Sequence, residues 1–331
     1  MDFRLTDEQR ELAQLARRVA EGTAGRPAAA APEIDWKPLV DTGLMGLLVS
    51  EADGGSGATL VEAAILAEEL GRAGAPAAVV GSALIAAAAI DLVPSPELRH
   101  ALRQALCAGR PMSVMVGDDL AWPPVNRTVA WGWHAGCLAL GPVDGGLELV
   151  EIAGAEVRPT QDLGLFVARA GTSARATAIE TTEPGQRFLA ATNVILSSLL
   201  VGTMGRALEL AVEHAKNREQ FGVKIGTFQA IKHLCADMFV DVESSRSAAY
   251  GAASIVATTP DIARAAHTAA VAKAWCGDAA VRVCEGSVQV HGGMGFTWEC
   301  DVHRYLRTAL VARASFMSSD RAVDVVAGRA A

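Results

Sequence analysis

Apolar positions recur with a helical period over the first 110 residues. Thr6 and Gln9 have the spacing of a capping box, which predicts a first helix from about Asp7. Further helices are predicted at 36–42 with a stop at Gly43, at 60–70 with a stop at Gly71, at 75–90 and at 95–108. This part of the chain therefore favours an N-terminal helical domain over residues 1–110.

The pattern changes between 111 and 180, where the apolar runs become short and are separated by Gly, Pro and Asp. Such runs are typical of β-strands, and they occur at 114–116, 128–131, 137–140, 147–152 and 166–170. The sequence Asp144-Gly145-Gly146 is typical of a hairpin turn. About 70 residues are enough for only a small β domain, so we expect a short middle domain here.

Long helical patterns return in the last part of the chain. Four segments are predicted, at 188–217, 228–257, 260–290 and 300–327, with breaks at Phe221-Gly222, at Pro260 and at the GGMG sequence of 292–295. Long helices with short connections favour an antiparallel four-helix bundle, which we assign to residues 186–331. The expected fold class is mostly α with a small β domain.

Composition narrows the classes of protein that the chain can belong to. Of its 331 residues, 51% are hydrophobic and 20% are charged, so the chain can bury a large core. A net charge of −8 excludes a broadly cationic nucleic-acid-binding surface. The charged N-terminus lacks the apolar region of a signal peptide, and the longest apolar stretch, 75–90, is too short to span a bilayer. We therefore expect a cytoplasmic protein with no nucleic-acid partner and no membrane span.

The six cysteines do not indicate a metal site. None of them forms a CxxC pair, and none stands at a metal-ligand spacing from a histidine. Cys235, Cys276 and Cys284 fall in apolar helical patterns, where a thiol behaves as a small buried hydrophobic group. We expect reduced thiols and no bound metal.

The first motif that could carry binding chemistry is Arg218-Glu219-Gln220-Phe221-Gly222, which is followed by Gln229. Arg218 ends a predicted helix, where a planar guanidinium can meet a pyrophosphate with two hydrogen bonds. Phe221 could stack on an adenine, and Gln229 could hydrogen-bond adenosine or phosphate. Taken alone, Arg218 could equally complement the helix dipole, and Gly222 could simply cap the helix.

The second motif lies about 70 residues further along the chain and runs from Gln289 to Phe296. Gly292 and Gly293 have no side chains, so their N–H groups could approach a phosphate closely. Gln289 stands one helical turn earlier and can add an amide donor. Two glycines alone would indicate only a turn, and His291 is expected to be a packing or turn residue. The two motifs at this spacing favour one binding site.

Both motifs, within the order helical–β–helical, resemble the acyl-CoA dehydrogenase family. LVSEADGGSG at 48–57, AEELGR at 67–72 and the tripeptide Tyr305-Leu306-Arg307 support the resemblance, which covers residues 1–110 and 188–310. It implies an N-terminal helical domain at 1–110, a shortened middle β domain at 111–180 and a C-terminal four-helix bundle at 186–331. It also implies FAD as the cofactor and an acyl-CoA as the substrate.

The resemblance further implies that FAD is shared between subunits. In the family the ADP half of FAD is held by one subunit, and the flavin ring lies largely in the adjacent one. The residues that match the ADP-binding positions are Arg218, Gln220, Phe221, Gln229, Gln289, Gly292 and Gly293. The chain is therefore expected to form an oligomer in which it lends these groups to a neighbour.

Members of the family that carry out the reaction need a carboxylate base to remove the α-proton of the thioester. The family places this glutamate at one of two positions, and they fall here at Phe316 and Ile195, neither of which is acidic. A catalytic Thr-Glu-Pro-x-x-Gly-Ser-Asp strand is also absent from 110–178. The similar Thr182-Glu183-Pro184-Gly185 falls just before the first bundle helix, so we interpret it as a turn that leads into that helix.

This combination resembles the non-catalytic subunit of heteromeric acyl-CoA dehydrogenases that act on steroid side chains. The resemblance implies an α2β2 tetramer with a catalytic paralogue, and an electron-transferring flavoprotein as the electron acceptor. Two alternatives remain open from the residues. One is a self-sufficient homo-oligomeric enzyme that uses Glu299 or Glu183 as the base, and the other is a non-enzymatic scaffold that has lost the cofactor.

Overall fold

The fold is described from a computed structural model of the chain. It describes residues 5–23, 33–117, 120–122, 128–134, 136–143, 146–150, 156–159, 165–169 and 182–329. The architecture is mostly helical with a small six-stranded sheet, as predicted. The division of the chain into domains at 110 and 186 remains a prediction.

Helices form the N-terminal part of the chain. They are α1 (Asp7–Thr23), α2 (Lys37–Asp41), α3 (Leu60–Ala73), α4 (Ala77–Val80), α5 (Ala87–Ala89) and α6 (Pro96–Cys107). A π-helical segment, Gly81–Ala86, joins α4 to α5, so the predicted apolar helix is nearly continuous. The capping box is confirmed: the N–H of Gln9 donates to Thr6 Oγ1 at 3.2 Å, and the N–H of Thr6 donates to Gln9 Oε1 at 3.1 Å.

The small sheet follows α6. Its strands are β1 (Met112–Gly117), β2 (Thr128–Trp131), β3 (Leu138–Val143), β4 (Gly146–Val150), β5 (Glu156–Pro159) and β6 (Phe166–Arg169), in the order β4-β3-β1-β2-β6-β5. β1 and β3 are parallel and the other pairs are antiparallel. All five predicted strands are present, although the sequence pattern did not predict β5. Strands β3 and β4 form an antiparallel pair on either side of the predicted hairpin turn. Residues 144 and 145 of that turn lie outside the described residues.

Five helices form the C-terminal part. They are α7 (Glu183–Asn217), α8 (Gln229–Thr258), α9 (Ile262–His291), α10 (Val302–Ala314) and α11 (Ser319–Val326). Thr182 caps the first of them, accepting the N–H of Gly185 at 3.2 Å, which agrees with its interpretation as a helix approach. Within the described part of the chain, α7 alone is long and apolar enough to span a membrane. Because 94% of its most apolar window is buried inside the protein, α7 serves here as a core helix.

The predicted end of α3 at Gly71 is wrong. The helix continues to Ala73 and ends at Gly74, which has a φ of +66°. Gly71 instead allows a close crossing with α7, because a Cβ there would overlap the carbonyl oxygen of Leu199. Gly202 on α7 does the same towards α3, where a Cβ would overlap the carbonyl oxygen of Glu68. Two glycines on opposite helices thus set the distance between the N-terminal helices and the bundle.

The prediction of one long final helix over 300–327 is also wrong. The helix breaks between α10 and α11, where Phe316 has a φ of +62°. The N–H of Phe316 donates to the carbonyl oxygen of Leu120 at 2.7 Å, and its own carbonyl oxygen accepts the N–H of Trp122 at 3.0 Å. Trp131 Nε1 on β2 donates to Ser315 Oγ at 3.1 Å. These bonds hold the break against the sheet, so tertiary contacts override the helical pattern.

Candidate functional site

The first motif forms a short hairpin at the end of α7. Arg218 follows the last helical residue, and its N–H donates to the carbonyl oxygen of His214 at 2.8 Å. Strands β7 (Glu219–Gln220) and β8 (Val223–Lys224) pair, with positive φ values of 55° at Phe221 and 77° at Gly222, as in a type I′ turn. Among the described residues, the Arg218 guanidinium has no hydrogen-bond or ion-pair partner. It is exposed and available to a ligand.

The hairpin presents further groups to solvent. Phe221 is 95% exposed at the tip, and its ring meets that of Phe228 edge-on with centroids 6.4 Å apart. Gln220 donates through Nε2 to the carbonyl oxygen of Glu219 at 2.6 Å. Gln229 is the first residue of α8, and its exposed amide has no partner in the part of the chain that the structure describes. This surface combines an exposed aromatic ring with unpartnered polar groups.

The second motif forms the end of α9. Gln289 is exposed, and its carbonyl oxygen accepts the N–H of Gly292, which has a φ of +60°. A 3₁₀ turn, Gly292–Phe296, follows. A Cβ added at Gly292 or at Gly293 would meet nothing within 4 Å, whereas Gly295 packs against the backbone of α9. The first two glycines therefore face open space.

The structure brings the two motifs together at one end of the bundle. The rings of His214 on α7 and His291 on α9 stack with centroids 4.4 Å apart, and Ser287 Oγ donates to the carbonyl oxygen of Ala207 at 2.7 Å. The expectation that His291 is a packing residue agrees with this contact. The role of His214 was missed, although its position four residues before Arg218 places it on the same helical face.

The two positions that the sequence predicts to match the family's catalytic base lie in the core. Ile195 and Phe316 are both fully buried. Phe316 belongs to an aromatic cluster, defined here as Trp122, Trp131, Phe188 and Phe316, with ring centroids 4.9 to 6.2 Å apart. This cluster packs around the buried ring of Phe316, so the position is part of the core.

The alternative bases lie at the surface. Glu299 is exposed, and hydrogen bonds from Thr297 and from its own backbone hold its carboxyl pKa below the ordinary value. Glu183 is exposed at the start of α7 and pairs with Arg187 at 3.3 Å. Both carboxyls are exposed, so neither lies in the dry surroundings that a base needs in order to remove a C–H proton.

A cavity of about 720 Å³ lies at the opposite end of α7. Its walls come from the loop before α3, from the starts of α3 and α7, from helix α6, and from the ends of α5 and α8. The residues that line it include Leu48, Ala88, Arg103, Phe188, Ala191 and Val256. Arg103 at its edge is already paired with Asp53 and Asp91. Phe316 and Ile195 are not among the residues that line it.

Comparisons with known proteins agree with this architecture. Residues 6–110 match the acyl-CoA dehydrogenase N-terminal domain, and residues 186–330 match the acyl-CoA dehydrogenase C-terminal domain. Acyl-CoA dehydrogenase IpdE2 of Mycobacterium tuberculosis is 30% identical over 83% of this chain and 79% of its own length. The chain belongs to the acyl-CoA dehydrogenase family, which is a family of FAD-dependent oxidoreductases.

Among its relatives is acyl-CoA dehydrogenase FadE34 of Mycobacterium tuberculosis, which is 36% identical over 92% of this chain. The chain spans only 45% of the length of FadE34. Among solved structures, the Tcur3481-Tcur3483 steroid ACAD G363A variant is 25% identical, with a TM-score of 0.79 over 98% of this chain and 97% of that one. The ChsE4-ChsE5 complex from Mycobacterium tuberculosis, at 24% identity, has the same fold, with a TM-score of 0.81 over 99% of this chain and 98% of that one.

Proposed function

We propose that this chain is the non-catalytic subunit of a heteromeric acyl-CoA dehydrogenase, and that it contributes the ADP half of the FAD site to a catalytic partner chain. The assembly would desaturate a CoA thioester between Cα and Cβ. The observation that carries the proposal is the contrast between two regions of the chain. The matched cofactor residues are exposed, and the side chains of Arg218 and Gln229 have no partner among the described residues, whereas Phe316, at the matched base position, is sealed inside the aromatic cluster.

The exposed residues fit the ADP half of FAD by their chemistry. The Arg218 guanidinium suits a pyrophosphate, and the ring of Phe221 offers a face to an adenine. Gln229 and Gln289 supply amide groups. The N–H of Gly292 already donates to the carbonyl oxygen of Gln289, so we assign the close phosphate contact to the N–H of Gly293. In the assembly, FAD supplies the acceptor for the hydride that leaves Cβ.

The remaining groups of a complete active site would come from the partner chain. Phe316 and Ile195 cannot accept the α-proton, because neither side chain holds a basic atom. The partner would therefore supply the carboxylate base, and we propose an α2β2 tetramer with half a flavin per chain. The division into domains at 1–110, 111–180 and 186–331 belongs to the same proposal, as do a cytoplasmic location and an electron-transferring flavoprotein as acceptor.

Two relatives support a two-component assembly. The match to this chain covers 45% of FadE34, so FadE34 is long enough to hold a segment like this chain and a second segment of at least the same length. The Tcur3481-Tcur3483 steroid ACAD has a name that joins two components, at 25% identity to this chain. We infer from that name a steroid thioester as the substrate class, with its bulky ring system bound mainly by the partner.

A flavin spectrum tests the proposal. The full chain is purified alone and, separately, after co-expression with a longer acyl-CoA dehydrogenase paralogue that carries the catalytic glutamate. We expect a colourless protein alone and a yellow complex with half a flavin per chain. A chain that is yellow alone and is bleached by an acyl-CoA would overturn the proposal in favour of the self-sufficient enzyme. A colourless complex would favour the scaffold.

A further inference from the structure

A pair of histidines connects the two motifs. His214 lies on α7 four residues before Arg218, and His291 lies on α9 between Gln289 and Gly292. Their rings stack with centroids 4.4 Å apart and an angle of 27° between the ring planes. The contact therefore joins the last turn of α7 to the last turn of α9, where the two motifs are carried.

Both histidines are bonded to the backbone next to a motif. The carbonyl oxygen of His214 accepts the N–H of Arg218 at 2.8 Å. The Nδ1 atom of His291 lies 2.8 Å from the carbonyl oxygen of Ser287, and Gly295 packs closely against the Cβ of His291. The backbone of His214 is therefore bonded directly to that of Arg218, and the ring of His291 is held against its own helix within the second motif. The ring contact thus links the backbone next to one motif to the backbone next to the other.

We propose that the stacked pair of His214 and His291 fixes the position of the first motif relative to the second, so that Arg218 and Gly293 can meet the same pyrophosphate. This inference rests on the proposed function. Both histidines are positioning residues, because they act through the backbone and need not touch the FAD. Stacked rings contribute enough coupling to change an equilibrium constant by up to about tenfold.

The stack depends on the charge of the rings. Burial lowers the pKa of His214, and His291 and Arg218 lower it further. The charged or titratable groups that act on His214 are therefore His291 on α9 and Arg218 at the end of its own helix. Protonation of His214 would place a positive charge against the facing ring. The affinity for FAD should thus fall as the pH drops below 6.5, the ordinary pKa of a histidine.

The test measures the dissociation constant of FAD for the deflavinated complex of the full chain with its catalytic paralogue. We expect His214→Ala to raise this constant about tenfold, and His214→Phe to restore it because the ring still stacks. His214→Phe should also weaken the pH dependence that the wild type has below 6.5, because only one of the two stacked rings can then be protonated. His267→Ala, an exposed histidine on the same helix as His291, is the matched control and should change nothing.

Two results would overturn the inference in distinguishable ways. If Arg218→Ala weakens FAD binding while His214→Ala does not, the positioning role is wrong and the proposed function stands. If Arg218→Ala has no effect, the proposed function is wrong and the positioning role is lost with it. If His214→Ala does not fold, the pH dependence of FAD binding to His214→Phe decides the question. A dependence identical to that of the wild type would rule out the positioning role.

Discussion

The amide nitrogen of Phe316 lies 2.7 Å from the carbonyl oxygen of Leu120, and this bond fastens the break between α10 and α11 to the segment that follows β1. The same residue places its ring 5.7 Å from that of Trp131 on β2. One residue thus holds the end of the bundle to the sheet through both its backbone and its side chain.

Replacement of Phe316 by Ala should destabilise the chain strongly. The fully buried ring would leave a cavity between Trp131 and Phe188, and such losses cost about 3–5 kcal/mol. The free energy of unfolding in denaturant measures the effect. Phe221→Ala is the matched control, because its ring is 95% exposed and its loss should cost less than about 0.5 kcal/mol. Equal costs for the two variants would contradict the buried role of Phe316.

Replacement of Gly202 by Ala should force α7 away from α3. The added Cβ would overlap the carbonyl oxygen of Glu68, and overpacking of this kind costs about 1–3 kcal/mol. Gly22→Ala in α1 is the control, since nothing lies within 4 Å of a Cβ there. That change should stabilise the chain by about 0.5–1 kcal/mol, because alanine is the better helix former. Effects of the same sign would refute the close crossing.

The stability of the chain should depend on the protonation of Lys273. This residue is fully buried on α9 and donates through Nζ to the carbonyl oxygen of Ala312 at the end of α10. Burial lowers its pKa from 10.5 to about 7. Between these pH values the unfolded chain binds a proton that the folded chain does not. The contribution of Lys273 therefore falls as the pH decreases from 10.5 towards 7, and it is constant below 7.

Unfolding measured from pH 6 to 10.5 tests this dependence. The difference in unfolding free energy between Lys273→Met and the wild type should change steadily with pH above 7, in favour of the variant at lower pH. Lys232→Met removes an exposed lysine, and its difference from the wild type should stay flat across the range. A flat difference for Lys273→Met as well would mean that its pKa is not lowered.

Arg218 should affect cofactor binding without affecting folding. Its guanidinium is exposed and has no partner among the described residues, so Arg218→Ala should leave the melting temperature of the chain unchanged. In the complex with the catalytic paralogue, the same change should lower the affinity for FAD at least about tenfold, as expected for a lost charged hydrogen bond. Arg218→Lys keeps the charge but cannot form two parallel hydrogen bonds. Its affinity for FAD should therefore lie between that of the wild type and that of Arg218→Ala.

The control for Arg218 is Arg264→Ala, which removes an exposed arginine at the start of α9. Both the melting temperature and the FAD affinity of that variant should match the wild type. Equal losses of FAD in the two variants would indicate a general effect of charge and would remove Arg218 from the proposed site.

The sequence predicted those elements that depend on local signals. Thr6 and Gln9 mark the start of α1, and Gly43, with a φ of +74°, ends the second helical segment as expected. What it missed depends on distant contacts. Gly71 is a residue type that often ends a helix, but here it lies inside α3. A glycine is needed there because a Cβ would overlap the carbonyl oxygen of Leu199 on α7. Nothing near Phe316 in the sequence marks a break, because the bonds that hold it come from residues about 200 positions earlier.

The candidate site divides in the same way. The residue types and spacing of the two motifs could be predicted, since the chemistry of phosphate binding needs particular groups. Their mutual arrangement could not be predicted, because it is a tertiary arrangement of α7 and α9, and the ring contact between His214 and His291 beside the motifs has no sequence signature. The packing around Phe316, at the predicted base position, could not be predicted either, because the four residues of the aromatic cluster come from separate segments of the chain.

Helix α7 has 35 residues and is therefore a rod about 52 Å long. Glu183 at its first turn borders the cavity, and Arg218 follows its last turn at the start of the first motif. The cavity and the surface around Arg218 are thus separated by the full length of one helix. Helix α7 therefore acts as a strut that keeps the exposed first motif and the cavity at opposite ends of the bundle.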